Sequence, residues 1–461
     1  MIRRTPLLVA LLAATVAVSG CSTLSRLNPL NKDKGPSEVA SEGKRISIVP
    51  ADQQMIPADA LKGVDFFLPP ATELTAWPLP GGTREQSIEH VDAAPSLAIA
   101  WKRGFGSGSK KTRFLTAPPV MADGKVFVMD ADGDVSAWDA RSGSEVWRRT
   151  VRPSTGRRDR VAFGGGLAYA DGKLYVSSGY RGVAQLDATT GAIGWTAVTE
   201  QPIHAAPTVA DGRVMVVALD NTLLTFDAAT GAPGWSYQAL SEPARMLAAS
   251  SPAVTGDTVI ASFGSGELVA LRAQNGNDLW NEALSRASRT SALSEIRDIP
   301  GRPVVYRGDV FAVSHSGVFA ATDVRTGQAR WSLPVTGVST PLPVGDVVYV
   351  VSKAGEVICV ARESGQIYWI RDLNAGVKTK KVGGFLGIGG RREAKPLWSG
   401  PLLANDRLIL VSAKGQLAAL NAKTGEIQNR VSLGDGSLIS PIAAGGTIYV
   451  VTDNATLIAL R

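Results

Sequence analysis

Few residues in this chain have the types and spacing that chemistry needs. There are three histidines, His90, His204 and His315, and two cysteines, Cys21 and Cys359, all far apart in sequence. Metal centres built on His and Cys draw their ligands from closely spaced pairs, and no such pair is present. No serine stands in a recognisable triad context. The run Gly383 to Gly390 is glycine-rich but has neither the lysine of a phosphate-binding loop nor the spacing of a dinucleotide fingerprint. Lys378, Lys380, Lys381, Arg391 and Arg392 flank it, so it reads as a mobile basic loop, with a protein partner or an anionic lipid surface as the sharper alternative. Asp139, Asp187, Asp227 and Asp323 each stand four residues before a glycine that follows Ser or Thr. That pattern suits turns in which a carboxylate accepts backbone amides better than it suits a metal ring. The inventory predicts no catalytic residue, no metal ligand and no cofactor.

Composition narrows the fold class. Hydrophobic residues make up 44% and charged ones 19%, with 49 glycines and 26 prolines in 461 residues. This is the profile of a turn-rich β protein with a substantial core. The net charge of +7 is mild, and the absence of a long Lys/Arg run argues against a nucleic-acid groove.

Cys21 has a chemistry of its own. Met1-Ile2-Arg3-Arg4 is a short positive region and Leu7 to Val18 an apolar stretch ending in Val18-Ser19-Gly20-Cys21. The stretch is too short to span a bilayer comfortably. Small residues ahead of a cysteine resemble the processing signature of bacterial lipoproteins; the alternative is an ordinary signal peptide with a cysteine there by chance. The resemblance implies that residues 1–20 are a signal peptide and that Cys21 is the lipidated N-terminus, with palmitate among its acyl chains. At about 0.8 kcal/mol per buried CH₂, several chains give lasting attachment. Ser22 in place of Asp implies sorting to the outer membrane. Residues 21–94 are broken by prolines and poor in periodic pattern, and read as a mostly extended tether with a reach on the order of 50 Å. Within it, Val64 to Pro70 and Trp77 to Gly82 are too apolar to be fully solvated, and part of this piece is expected against the folded body.

The remainder repeats. Ala137-Trp138-Asp139-Ala140-Arg141-Ser142-Gly143, with Trp147, returns as Gln185-Leu186-Asp187-Ala188-Thr189-Thr190-Gly191, with Trp195, and as Thr225-Phe226-Asp227-Ala228-Ala229-Thr230-Gly231, with Trp235. Weaker copies place Gly276 before Trp280, Gly327 before Trp331 and Gly365 before Trp369, always four residues apart; a seventh keeps Gly425 but has Asn429 in the tryptophan slot. Successive tryptophans lie 38 to 51 residues apart, a propeller-blade period. Strand pairs start near Val126, Leu174, Val214, Val259, Val310, Val347, Leu408 and Ile448, which counts eight units. The eighth stops before a tryptophan strand, and a lone one stands ahead of the first unit at Leu97 to Trp101. The expectation is an all-β, eight-bladed propeller over residues 95–461, closed by the strand around Trp101. Trp101, Trp147, Trp195, Trp235, Trp280, Trp331 and Trp369 are read as blade-docking residues. Cys359 fills a slot held elsewhere by Ala137, Thr225, Ala270 and Ala321 and is read as a small core residue.

The Ala-Leu-Asp-x-x-Thr-Gly-x-x-x-Trp pattern resembles the repeat of PQQ-type propellers, which include quinoprotein alcohol dehydrogenases and the BamB family of outer-membrane lipoproteins. The dehydrogenases usually carry a vicinal Cys-Cys disulfide and a calcium site of Glu, Asn and Asp. No Cys-Cys pair exists here, so the enzyme reading is the weakest of three. A lipoprotein adaptor or sensor is the second. The lipobox, tether and propeller together resemble the BamB family, and this resemblance implies a non-catalytic scaffold of the β-barrel assembly machinery. It would be lipid-anchored at the periplasmic face of the outer membrane, with BamA and other machinery subunits as partners and no nucleic acid. Contact with unfolded outer-membrane proteins would be by strand addition to blade edges. Family contacts with BamA sit in two inter-blade loops. They map here to Pro243 to Ala248, with Arg245, Met246 and Leu247, and to Ser294 to Pro303, with Arg297, Asp298 and Ile299. Pro300 stands where the family's second acid would be.

Overall fold

In the computed structural model the described residues are 55–151, 162–241, 250–285, 297–378, 381–382 and 391–461. Cys21, the signal segment, the loop carrying Arg245, Met246 and Leu247, and the glycine run 383–390 lie outside them. Residues 51–461 belong to one compact unit.

Among the described residues, eight four-stranded antiparallel sheets form the blades of a propeller. Blade 1 runs Val120–Ala122, Lys125–Met129, Asp134–Asp139 and Glu145–Thr150. Its second and third strands are almost wholly buried, because a blade has a neighbour on each face, and so read as continuous apolar runs. The outermost strand buries Trp147 alone. Blades 2 to 7 repeat this order. Blade 8 takes Ile442–Ala444, Thr447–Val451 and Thr456–Leu460, and completes itself with Ile99–Gly104 from the other end of the repeat region. Trp101 pairs there with Ala459, so no blade is left a strand short and the ring has no open edge between its ends.

A register shift between third and fourth strands sets four of the indoles opposite a small residue, while Trp195 faces Gln185. Trp147 faces Ala137, Trp280 faces Ala270, Trp331 faces Ala321 and Trp369 faces Cys359. Cys359 is fully buried, and burial pushes its thiol well above the usual range.

Each tryptophan packs on the turn glycine of the following blade. A Cβ on Gly191 would fall 2.7 Å from the Trp147 ring, one on Gly231 2.5 Å from Trp195, and one on Gly425 2.6 Å from Trp369. The same contact joins Gly276 to Trp235, Gly327 to Trp280, Gly365 to Trp331 and Gly143 to Trp101. These glycines have φ between +69° and +75°, where a side chain is strained as well as excluded. Trp147, Trp195, Trp235, Trp280 and Trp331 then donate Nε1–H to a carbonyl of the neighbouring turn, at 2.7 to 3.1 Å. At the other two junctions a tyrosine takes that carbonyl: Tyr449 donates to Ala140 O at 3.3 Å and Tyr349 to Ala422 O at 2.8 Å. The indole nitrogens of Trp101 and Trp369 are correspondingly left without a hydrogen bond among the described residues.

This pairing accounts for Asn429. The blade after it, blade 8, has no Asp-to-Gly turn to cover, because the ring's seam lies there. Ala98 and Arg461 exchange two backbone bonds of 2.9 Å at that point, and Asn429 is exposed.

The stretch read as a tether divides. Residues 55–66 run along blade 6, where Ala58 N donates to Ile367 O of the outermost strand and Phe66 meets the Tyr368 ring. Residues 67–94 are laid across one end of the central channel and reach every blade. Trp77 exchanges backbone bonds with Met121 of blade 1, and Pro78 O accepts from Tyr169 N of blade 2. Arg84 O and Glu85 O accept from Val254 N and Val305 N of blades 4 and 5, and Phe67 O from Asp346 N of blade 6. Val91 N donates to Leu403 O of blade 7, and Leu74 O accepts from Gly445 N of blade 8. Blade 3 is reached by the Gln86 amide, which donates to Thr208 Oγ1 at 3.2 Å and to Pro252 O at 3.0 Å. Phe66, Trp77, Leu79 and Val91 are buried, so this segment is a plug. His90 is structural within it: Nδ1 lies 2.7 Å from Pro69 O, and Nε2 accepts from Asp406 N at 2.9 Å.

Candidate partner-binding face

The end of the channel opposite the plug is formed by two kinds of connection: the turns between second and third strands, and the crossings from the outer strand of one blade to the inner strand of the next. Both loops singled out in the sequence are crossings of this kind, between blades 3 and 4 and between blades 4 and 5.

The first loop leaves blade 3 at Leu240, which is 66% exposed. Its departure point is fixed by polar contacts. Leu240 N donates to Glu267 Oε2 at 2.8 Å, and Leu240 O accepts from Asn221 Nδ2 at 2.7 Å. Glu267 is buried in the second-to-third-strand turn of blade 4, where it also accepts from Ser265 Oγ and Asn281 Nδ2. One carboxylate thereby ties the root of the first loop to the blade from which the second departs.

The second loop re-enters at Arg297. Arg297 is exposed, whereas Asp298 is 1% and Ile299 2% exposed. Ile299 packs in the core cluster with Leu284, Val310 and Ala320. Asp298 O accepts from His315 N at 2.8 Å, and Ile299 N donates to Phe263 O. His315 in turn lies 2.6 Å from Lys353 Nζ, and burial holds Lys353 below its usual range. Of the three residues expected here, Arg297 faces outward, and Asp298 and Ile299 pin the loop root. The two roots also meet directly, since Ser250 Oγ donates to Gly301 O at 3.2 Å. Glu267, Ser250 and His315 carry no motif in the sequence; their roles come from contacts between blades.

At the centre of this face is a cavity of about 660 Å³ to which all eight blades contribute, with plug residue Pro80 among its lining. Its described wall bears hydroxyls, aromatic rings, Arg302 and a single carboxylate, Asp453. That donor set does not fit a quinone with its calcium: Cys359 lies under the Trp369 strand, and the repeat aspartates are engaged in turns. Asp139 Oδ1, for instance, accepts from the amides of Arg141 and Ser142 and from the Ser142 hydroxyl at 2.7 to 3.2 Å.

Comparison with known proteins adds the following. The family model described as outer membrane protein assembly factor BamB matches residues 84–159, 131–371 and 382–461. Outer membrane protein assembly factor BamB of Salmonella typhimurium is 26% identical over 378 residues, covering 81% of this chain and 91% of the relative. The Burkholderia pseudomallei protein of the same name is 26% identical, covering 78% and 87%. Among solved structures, BamB from Moraxella catarrhalis superimposes with a TM-score of 0.63 at 20% identity, covering 78% of this chain and 99% of that one. Quinohemoprotein alcohol dehydrogenase from Comamonas testosteroni does so at 0.62 and 16%, covering 84% and 81%. At such identities the structural likenesses speak for the fold alone.

Proposed function

This chain belongs to the BamB family of outer membrane protein assembly factors, and we propose that it is a non-catalytic scaffold of the outer-membrane β-barrel assembly machinery, docking on BamA through the loops between blades 3, 4 and 5. The observation that carries the docking reading is the Ser250–Gly301 hydrogen bond together with Glu267. These contacts join the roots of the two loops, so that the two departure points are held together. Leu240 beside the first loop and Arg297 on the second are exposed, and an apolar residue beside a guanidinium suits an interface anchor. Arg245, Met246 and Leu247 complete the proposed contact, with Asp298 and Ile299 holding the loop in place.

Lipidation at Cys21 would hold the propeller at the periplasmic face of the outer membrane. No helix among the described residues is long and apolar enough to cross a membrane, which is compatible with attachment by acyl chains. The cavity's donor set supports the scaffold reading over a quinone-dependent oxidation.

Photo-crosslinking in cells from positions 246 and 297 tests the docking. A crosslink to BamA from both, and none from the plug face at Lys62, supports the proposal. Crosslinks from Lys62 alone would reverse the orientation, and none from any position would leave the chain with another partner.

A further inference from the structure

The central cavity has a feature that partner docking does not use. Its volume of about 660 Å³ is in the range of small-molecule sites, and the plug lies across the channel below it. One part of its wall is apolar, built from Phe114, Leu115, Phe163 and Leu438. Phe163 stacks on His204 at 4.3 Å and meets Phe114 edge-on at 5.1 Å. Another part carries the hydroxyls of Ser339 and Thr340.

Arg302 lines the cavity as well. Its backbone is fixed by Thr340 Oγ1, which accepts from Arg302 N at 3.2 Å. Among the described residues its Nε is sealed from solvent without a hydrogen-bond partner, and no carboxylate pairs with the guanidinium. The head opens into the cavity, so the residue is only half-buried by surface. Even so, loss of hydration brings its pKa down to about 10. Asp453 does not neutralise it; burial and Asp435 push that carboxyl upward instead. Arg407 differs: its Nε is likewise unpartnered among the described residues, but its two Nη groups donate to the carbonyls of Pro95 and Ala94. A guanidinium with a sealed Nε and no counter-charge among the described residues is costly unless an anion meets it.

We propose that this cavity binds a small organic carboxylate with an apolar body, its carboxylate on the Arg302 guanidinium and the Thr340 hydroxyl and its body against Phe114, Phe163 and Leu438. Arginine suits the anion because its planar fork matches a carboxylate. The cavity shares the root of the second docking loop, since Gly301 and Arg302 line it, but anion binding and partner recovery are read by separate measurements, so either assignment can fail without the other.

The test is calorimetric titration of the purified full chain with 1-naphthaleneacetate, its uncharged amide, and sodium sulfate. The acid is expected to bind, with the amide about ten- to a hundredfold weaker, as for loss of a charged hydrogen bond. Arg302→Gln should weaken the acid by a similar factor and leave the amide unchanged. Leu438→Glu, on the exposed rim, should expel the acid without disturbing the fold, and so keeps the test open if the arginine variant fails to fold. Sulfate should compete with the acid. Equal binding of acid and amide, an Arg302→Gln variant that binds the acid normally, or no binding of the acid would each overturn the proposal. Binding of sulfate without the acid would replace it with an inorganic-anion site.

Discussion

Trp101 lies against Gly143, and that contact joins blade 8 to blade 1: a Cβ on the glycine would sit 2.7 Å from the indole. The strand bearing Trp101 precedes the whole repeat region, yet it completes the last blade and covers the turn of the first. The same latch joins six further pairs of blades. Between blades 7 and 8 there is no such glycine, and blade 8 is instead closed within itself by the backbone pairing of Ala98 and Arg461.

Gly143→Ala should therefore destabilise the fold through both the positive φ and the indole clash, by about 1–3 kcal/mol. Trp101→Ala should cost about 3–5 kcal/mol, the range for a buried large aromatic. Asn429→Trp should add nothing, because there is no turn glycine for it to cover. Denaturant unfolding of the three variants checks the set, and a stabilised Asn429→Trp would count against the latch.

The plug makes a second expectation. Gln86 is buried, accepts from Gly81 N at 2.9 Å and donates into blades 3 and 4. Gln86→Ala should leave those buried groups unsatisfied and cost about 1–3 kcal/mol. Limited proteolysis should spare the bonds between 64 and 94 in the native protein. Ready cleavage there would mean that the segment is a free tether after all.

Four turn aspartates give a pH dependence with a definite sign. Hydrogen bonds hold their carboxyls below the ordinary 3.8: chiefly the Ser142 amide for Asp139, the Thr190 amide for Asp187, the Thr230 hydroxyl for Asp227 and the Arg325 amide for Asp323. With a folded pKa below the unfolded one, the unfolded chain takes up protons first as pH falls. The contribution is fully present above 3.8 and is lost as pH drops through the lowered values. Blade 7 does the same work with Asn421, whose Oδ1 accepts from the amides of Lys423 and Thr424 at 2.9 Å. Asp227→Asn should accordingly fold normally at pH 7 and lose less stability in acid than the parent. Melting curves from pH 3 to 7 decide it; an unchanged acid slope would contradict the assignment.

The repeat and its closure are legible in the sequence because each blade repeats one local device, the Asp-to-Gly turn with Trp four residues on. What that tryptophan touches is not legible, since its glycine belongs to the next repeat. Asn429 looks like decay until the seam is seen beside it. Gln86 and Arg302 are invisible for a different reason. Neither sits in a periodic pattern, and what matters about each is its tertiary surroundings: several hydrogen bonds for the one, no counter-charge for the other. The candidate loops carry no periodic signal and follow from the family resemblance alone, and only burial separates Arg297, which faces out, from Asp298 and Ile299, which are buried.

That separation is itself testable. Ile299→Ala should lower stability by about 2–5 kcal/mol, because its side chain packs in the core beside Leu284, Val310 and Ala320, whereas Arg297→Ala should stay within about 0.5 kcal/mol of the parent. Thermal melts of the two variants compare them directly, and equal effects would contradict the division.

The most direct test of the central claim is quantitative copurification of BamA from membranes with the parent chain and with an Arg245→Asp/Arg297→Asp variant of matched melting temperature. BamA should accompany the parent and be largely lost from the variant. Undiminished recovery of BamA with the folded variant would contradict docking through these loops.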